Sequence, residues 1–434
     1  MNSKILKDSL VVGLALFAMF FGAGNVIFPP YIGVISGGSW LLGFMAYFFA
    51  DIGLAVLAYI ALICSGNIDR FESIMYRLGP WPSRLTAGGI IFAIAFIATP
   101  RTATVSYDLG IVPTFGDVSL MAYSIAYFAI CWFFCIKESK VVDYIGKYLT
   151  PALVIGLVAM IIIGIASPLG EVSDTPKIDN VWYMGLISGY QTMDALAVVT
   201  TGILVSIALT GKGYATPESK TKAVLAAASV TAVLMFIVYG GLCYLGATVS
   251  GQYGADVQHG PLVVAICQGL LGKAGAGLLG LVVVLACLTT GVALCSVLGS
   301  FLNRVTEGRL KYNVVVTLAC FAFAMISNLG LARILAIAVP VIIVLYPALL
   351  VMVCLSLFDD KIENSNIFKV SVGFAVIYSV LEVIRSHGVE AVDIIEVLPL
   401  QEHGFGWILP AVFGAVVGYF VKPKPEGEVA PAGR

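Results

Sequence analysis

Leu16-Phe17-Ala18-Met19-Phe20-Phe21-Gly22-Ala23-Gly24-Asn25-Val26-Ile27-Phe28-Pro29-Pro30 is the stretch that decides the fold. It is apolar enough to lie in a bilayer, yet Gly22-Ala23-Gly24-Asn25 and two successive prolines interrupt it in the middle. A bilayer core holds no water for freed peptide groups, and each unpaired one costs several kcal/mol. Unwound backbone therefore persists there only where a cavity, a neighbouring helix or a ligand satisfies it. A second interruption, Gly189-Tyr190-Gln191-Thr192-Met193-Asp194, stands well inside another long apolar stretch.

Composition agrees with a membrane setting. Of the 434 residues, 60% are hydrophobic and 11% charged, with a mean hydropathy of +1.00. Soluble domains carry about a quarter charged residues, so a soluble enzyme is excluded, and so is a disordered chain. The net charge of -1 and the absence of a basic stripe exclude nucleic acid as a partner, and leave membrane lipid as the surrounding one. The 46 glycines and 18 prolines fit membrane helices, which tolerate both better than soluble helices do. Nine cysteines lie in or beside apolar runs, with no metal-ligand spacing, and read as small packing residues. The charged, then apolar, N-terminus continues past Pro29 and Pro30 without a cleavage site, so it reads as a first span and not a leader.

A crossing needs about 20 apolar residues. By that ruler the chain is an all-α polytopic protein with twelve transmembrane helices, near 9–35, 40–64, 84–111, 118–137, 148–166, 181–208, 221–249, 274–302, 312–329, 331–357, 367–386 and 405–421. Residues 68–79 place Phe71, Ile74, Met75 and Leu78 opposite Arg70, Glu72 and Arg77, as an interfacial amphipathic helix would. Residues 259–272 are too short to cross and read as a re-entrant or capping helix. With the N-terminus in the cytoplasm, all but five of the 24 basic residues fall on the termini and inner loops. The exceptions are Lys177, Lys273, Arg333 and Arg385 outside and Arg101 within a span. This is the positive-inside pattern, and it puts both termini in the cytoplasm.

Spans 1 and 6, which carry the interruptions, each begin a set of five. An odd number of crossings inverts the second set. The expected plan is thus a 5+5 inverted repeat, residues 1–166 and 167–357, with discontinuous helices 1 and 6, followed by two helices and a tail in 358–434. Matched breaks in inverted repeats mark a midplane binding site. Freed N–H groups at a half-helix N-terminus suit a carboxylate, and freed carbonyls suit a small cation. A zwitterionic amino acid with a cation matches both. The alternative, that Gly22, Gly24 and Gly189 are small residues for close helix contact, stays open.

Span 8 offers Ala286, Thr289 and Thr290. Their oxygens, with two carbonyls from span 1, would make a sodium-sized cage; equally, the threonines could bond back to carbonyls one turn earlier. Ionisable residues inside spans are Asp51, Arg101, Asp194 and Glu382, with Asp108 near an outer end. Each is expensive in lipid and a functional candidate. Arg101 would gate the outer vestibule or brace the bundle, and Asp194 would hold a coupled proton or pair between helices.

The first-helix motif closely resembles that of the bacterial branched-chain amino acid:cation symporters (the LIVCS family, BrnQ-type carriers). Gly189-Tyr190-Gln191-Thr192-Met193-Asp194-Ala195-Leu196 and Pro100-Arg101-Thr102 look like further hallmarks. The resemblance implies a leucine-transporter-type fold in the bacterial inner membrane. It implies import of leucine, isoleucine or valine with sodium or, alternatively, protons, and no enzymatic activity or cofactor. It places substrate at Ala23, Gly24 and Asn25, with Asn25 also standing where a second sodium can bind in some relatives. It places sodium at Ala18, Phe21, Ala286, Thr289 and Thr290. The substrate side chain would lie between Phe92, Phe96 and Thr99 of span 3 and Gly189, Tyr190, Gln191, Thr192 and Met193 of span 6, with Arg101 and Asp194 gating or coupling. Some proton-driven relatives replace sodium by a lysine of the fifth helix. Here the nearest, Lys147, stands near the cytoplasmic entrance, which favours sodium. An intramembrane enzyme would need clustered acids or histidines, but the intramembrane acids are scattered and His259, His387 and His403 lie at outer edges. A channel would need a pore ring, which the paired breaks do not suggest.

Overall fold

The computed structural model describes residues 3–66, 73–116, 118–137, 140–192, 194–214, 216–389, 395, 397–401 and 405–421. Among them every regular element is a helix. Span 1 is two helices, α1 (Ser3–Phe20) and α2 (Ala23–Ser36), separated by Phe21 and Gly22. Gly22 caps α2 in an extended conformation, with φ -99° and ψ -166°. Pro29 and Pro30 lie inside α2, where neither can donate to the carbonyls one turn earlier, those of Asn25 and Val26.

Span 2 comprises α3 (Trp40–Phe48), a π-helical turn at Phe49–Gly53 and α4 (Leu54–Cys64). Such turns admit one extra residue and redirect side chains; this one carries Asp51. Span 3 is α5 (Pro80–Ala93), α6 (Thr99–Ser106) and α7 (Val112–Phe115), joined by π turns at Ile94–Ala98 and Tyr107–Ile111. Next come α8 (Leu120–Cys135) and a short α9 (Val141–Tyr144). The latter leads through a π turn at Ile145–Leu149 into α10 (Thr150–Ala166).

Span 6 differs from expectation. α11 (Val181–Thr192) and α12 (Asp194–Gly211) keep Gly189 to Thr192 helical, and Met193 lies outside the described residues. The axis instead bends by 45° between Val181–Val199 and Thr201–Gly211. Gly189 serves close packing. A methyl placed there would lie 2.5 Å from the carbonyl oxygen of Tyr47, and one on Gly185, a turn earlier, 2.5 Å from that of Gly43. Small residues one turn apart let α11 press its backbone against span 2.

The rest is α13 (Pro217–Ala247), α14 (His259–Leu271), α15 (Lys273–Val305), α16 (Tyr312–Ser327), α17 (Leu331–Ser356), α18 (Ser365–Ser386) and α19 (Ile408–Phe420). Among the described residues six helices are long and apolar enough to cross a bilayer, seven if the bent pair in span 6 counts as one. Others, α8, α16 and α19 among them, are apolar over shorter lengths. The expected short element at 259–272 is α14, whose His259 ring packs on Tyr31 and Phe28 of α2 at 4.0 and 5.5 Å. Phe133, Ile155, Leu318 and Phe321 are more than half exposed, as lipid-facing residues are. The chain is a multi-pass membrane protein.

The described residues of 1–60 and 88–339 form one compact unit, and those of 61–87 and 340–434 a second. In the second, residues 68–72 of the expected amphipathic segment lie outside the described residues. Ser73–Leu78 form a 3-10 helix, not an α-helix, with Ile74, Met75 and Leu78 buried. Arg77 and Tyr76 both bind Asp359, Arg77 at 2.9 Å, and the Arg77 guanidinium lies 5.4 Å from the Phe368 ring centroid. The helix pair α18 and α19 meets at Gly414 and Gly418, where a methyl would lie 2.8 and 2.6 Å from backbone oxygens of α18.

In the first unit α13 runs along both halves of span 1. Thr231 donates to the carbonyl of Gly13 at 2.9 Å, and the Gly13 backbone faces Ala227 and Val230. Further along, a methyl on Gly33 would lie 1.9 Å from the carbonyl oxygen of Cys243, and one on Gly246 1.9 Å from that of Pro30. The two half-helices are thus held by a continuous neighbour and not by their own backbone. Gly33→Leu should therefore destabilise the protein strongly, beyond the ~1–3 kcal/mol of ordinary overpacking, and lower the apparent melting temperature and monodisperse yield in detergent.

Candidate functional site

The break in span 1 leaves carbonyls at the end of α1 and N–H groups at the start of α2 without helical partners. The structure supplies partners for the carbonyls from another helix and for the Gly22 N–H from within span 1, including Phe20 O at 2.6 Å. Thr289 of α15 donates to Ala18 O at 2.7 Å and to Ala286 O at 2.9 Å. Thr290 donates to Met19 O at 3.2 Å and to Ala286 O at 3.1 Å, and lies 3.4 Å from where a methyl on Gly22 would stand. Each threonine thus bonds back within its helix, as one sequence alternative had it, and also reaches a span 1 carbonyl. Ala18, Ala286, Thr289 and Thr290 meet as expected. Phe21 lies in the break, and the second span 1 carbonyl on the threonines is that of Met19, which sequence reasoning missed.

At the start of α2, Gly22 N–H donates to Asn25 Oδ1 at 3.2 Å. That bond fixes the Asn25 amide, because only its oxygen can accept. Nδ2 then faces Asp51 Oδ2 at 3.3 Å, Asp194 Oδ2 at 3.0 Å and the Tyr239 hydroxyl at 2.5 Å. Asp51 takes a further bond from Thr192 at 2.8 Å, whose hydroxyl also lies 2.6 Å from Gly189 O. Asn25, Asp51 and Asp194 are 3%, 1% and 6% exposed. Four elements thus meet here: α2, the span 2 π turn, the α11–α12 junction and α13. Asp51 and Tyr239 were missing from the expected site. The signal for Asp51 was its charge inside a span, which demands a partner; for Tyr239 no sequence signal existed.

Gly24 presents bare backbone to the Arg101 guanidinium: a methyl there would lie 3.6 Å from Arg101 Nη2 and 3.4 Å from the Phe28 ring. Arg101 sits on α6, which Ser327 holds through a 3.1 Å bond to Pro100 O. A guanidinium beside a helix N-terminus favours negative charge. The pocket residues are more scattered. Thr99 is buried, and its hydroxyl has no hydrogen-bond partner among the described residues. Phe96 stacks on Phe92 at 5.9 Å and meets the edge of Phe323 at 5.2 Å. Tyr190 is half-buried and Gln191 exposed. The side chain of Ala23 and all of Met193 lie outside the described residues.

Lys147 lies before α10, half-exposed, 3.3 Å from Asp143, which also binds Lys212 at 3.0 Å. Burial opposes the charge on Asp143, but the Lys212 and Lys147 ammonium groups hold its carboxyl below the usual carboxylate range. Lys147 thus shares Asp143 with Lys212 at the foot of span 5.

Residues 5–424 match the family described as branched-chain amino acid transport protein. The chain belongs to this family. It is 32% identical over 447 residues to the branched-chain amino acid permease BraB of Bacillus subtilis, covering 98% of both chains. It is 32% identical over 442 residues to the branched-chain amino acid transport system 2 carrier protein of Pseudomonas aeruginosa, again covering 98% of both. Members are permeases and carriers, so this is a transporter and not an enzyme. Among solved structures it is similar to a Na+-coupled sialic acid symporter, with a TM-score of 0.62, 12% identity and coverage of 96% of this chain and 90% of that one. A nucleobase-cation-symport-1 family transporter matches with the same TM-score and identity, over 94% and 91%. At that identity the likeness establishes the shared helical transporter fold. Because Lys147 is paired at the foot of span 5, Lys147→Met should leave the ion dependence of transport unchanged within about twofold, measured as amino-acid uptake under separate sodium and proton gradients.

Proposed function

We propose that the protein imports leucine, isoleucine and valine by cation symport, with sodium as a coupling ion, through alternating access. The observation that carries this reading is the clasp of Thr289 and Thr290 on Ala18 and Met19 at the end of α1, beside the break. The oxygens now linked by hydroxyl-to-carbonyl bonds are hard, neutral donors of the kind a sodium ion takes. An ion held by Ala18, Phe21, Ala286, Thr289 and Thr290 would replace those bonds and fasten α1 to α15. The amino acid then docks with its carboxylate at Ala23, Gly24 and Asn25 under Arg101, where the half-helix N-terminus and the guanidinium favour negative charge. Its aliphatic tail lies toward Phe96, Thr99 and the 189–192 segment of α11, and Asp194 couples the site to the break.

The setting is twelve spans in the bacterial inner membrane with both termini in the cytoplasm. Residues 1–166 and 167–357 are inverted repeats, and 358–434 an addition. The positive-inside pattern supports the orientation. A proton is the alternative coupling ion, with Asp194 as its candidate carrier. Coupling is reciprocal, so sodium should tighten leucine binding and leucine should tighten sodium binding by the same factor. Two substitutions test the reading as uptake of labelled leucine into proteoliposomes. Thr289→Ala should weaken sodium stimulation of uptake at least about tenfold, the scale of one lost charge-assisted contact. Arg101→Gln should raise the leucine concentration for half-maximal uptake by a similar factor with sodium stimulation retained. Uptake indifferent to sodium in the unaltered protein would remove sodium from the scheme.

A further inference from the structure

The half of span 6 beyond the bend carries a face that the central site does not use. Ile203, Ser206, Ile207 and Thr210 recur at three- and four-residue spacing and so share one side of α12. With Lys220 at the start of α13 and Arg304 at the end of α15 they line a cavity of about 530 Å³, the size of a small-molecule site. Ile203, Ser206 and Lys220 are buried and form its floor, while Thr210, Gly211 and Arg304 are exposed at its rim. Lys220 Nζ donates to Ser206 Oγ at 3.3 Å, and both cations hold further partners in the chain. Thr210 gives its hydrogen to Ser206 O at 2.9 Å, which leaves its hydroxyl oxygen as an acceptor. Among the described lining residues two are cations and none is an acid. The negative end of the α12 dipole and the positive end of the α13 dipole meet at this one cavity. An apolar wall, two cations, acceptor hydroxyls and opposed helix ends together match a zwitterion with an aliphatic tail.

We propose that this cavity is a release site, in which the transported amino acid pauses on the cytoplasmic side before it leaves. The proposal rests on the carrier reading and the orientation given above, and adds a second amino-acid site to them. The carboxylate meets Lys220 and Arg304. The ammonium meets the hydroxyl oxygens of Ser206 and Thr210 at the C-terminal end of α12, and the branched tail lies on Ile203 and Ile207. A phosphate group would use the two cations and leave the isoleucine wall and the acceptor hydroxyls unmatched. The place of the cavity along α12 supports the same role. Before it, at the bend, the hydroxyls of Thr201 and Tyr59 share a 2.8 Å bond. After it, Lys212 binds Asp143 of α9 at 3.0 Å, and Tyr214 binds Asp8 of α1 at 3.1 Å. The cavity therefore lies between two sets of contacts that fasten α12 and its following loop to spans 1, 2 and 5. An amino acid held there has passed the first set and waits on the second.

The test places a thiol reporter at the rim. Gly211→Cys has room, since a methyl there meets nothing within 4 Å. The full-length carrier in detergent is treated with a maleimide, and modification of the new thiol is read by peptide mass spectrometry, apart from the native cysteines. Leucine should slow that modification several-fold, and should still do so when Arg101→Gln is added to weaken the central site. Adding Lys220→Gln or Arg304→Gln should each raise the leucine concentration for half-protection at least about tenfold, the scale of one lost charge-assisted contact. Inorganic phosphate, and the leucine analogue without its amino group, should protect less well than leucine. No protection by leucine would overturn the release site. So would protection that Arg101→Gln removes and both cation variants keep, because the signal would then come from the central site. Phosphate protecting as well as leucine would overturn it too, in favour of a plain anion pocket. In each of these cases, uptake of labelled leucine by the unaltered protein in proteoliposomes leaves the carrier reading standing, and its absence overturns that reading instead. If Lys220→Gln fails to fold, Arg304→Gln at the exposed rim decides.

Discussion

Peptide groups freed at mid-membrane must find partners, and most of this site follows from that need. Phe21 and Gly22 interrupt span 1, and the ends of α1 and α2 are completed from two directions. On one side α15 offers the hydroxyls of Thr289 and Thr290 to the carbonyls of Ala18 and Met19. On the other, Asn25 folds its own amide oxygen back onto the Gly22 N–H. Neither partner is permanent in chemical terms. Hydroxyl oxygens that meet carbonyls are also the kind of donor a cation takes. The break is therefore a junction whose geometry depends on side chains from other parts of the chain and not on a continuous helix.

The acids of spans 2 and 6 owe their meeting to two local devices. The π turn at Phe49–Gly53 redirects Asp51 toward the interior, and the close approach at Gly185 and Gly189 brings α11 against it. A larger residue at 189 would push spans 2 and 6 apart and separate the carboxyl groups from Asn25. Gly189, which the sequence left open between a helix break and a close contact, thus acts through the absence of its side chain. Gly189 to Thr192 are helical where unwinding was expected, and the axis bends near residue 200. That is a packing outcome, since Gly189 has the same composition in either role.

Much of the site was nonetheless legible. The motif around Gly22, the Ala286–Thr289–Thr290 spacing, and the charges Arg101 and Asp194 stood out because apolar surroundings make glycine pairs, hydroxyl pairs and ions exceptional. Met19 was missed because its contribution is a backbone carbonyl, identical for every residue type. Tyr239 was missed because aromatic residues in spans are ordinary, and its polar tip acquires meaning only from what it faces. The side-chain pocket was least legible: Phe96 joins an aromatic stack with Phe92 and Phe323, while Gln191 is exposed.

Sequence by itself determined the membrane setting, the interrupted first span and the family, because hydrophobic length, glycine and proline chemistry and intramembrane charge are local properties that water and lipid read residue by residue. Which groups close the break, where span 6 bends and that Asp51 shares Asn25 with Asp194 were decided only in the tertiary structure. Those outcomes depend on distances between segments far apart in the chain, and a one-dimensional pattern does not contain them.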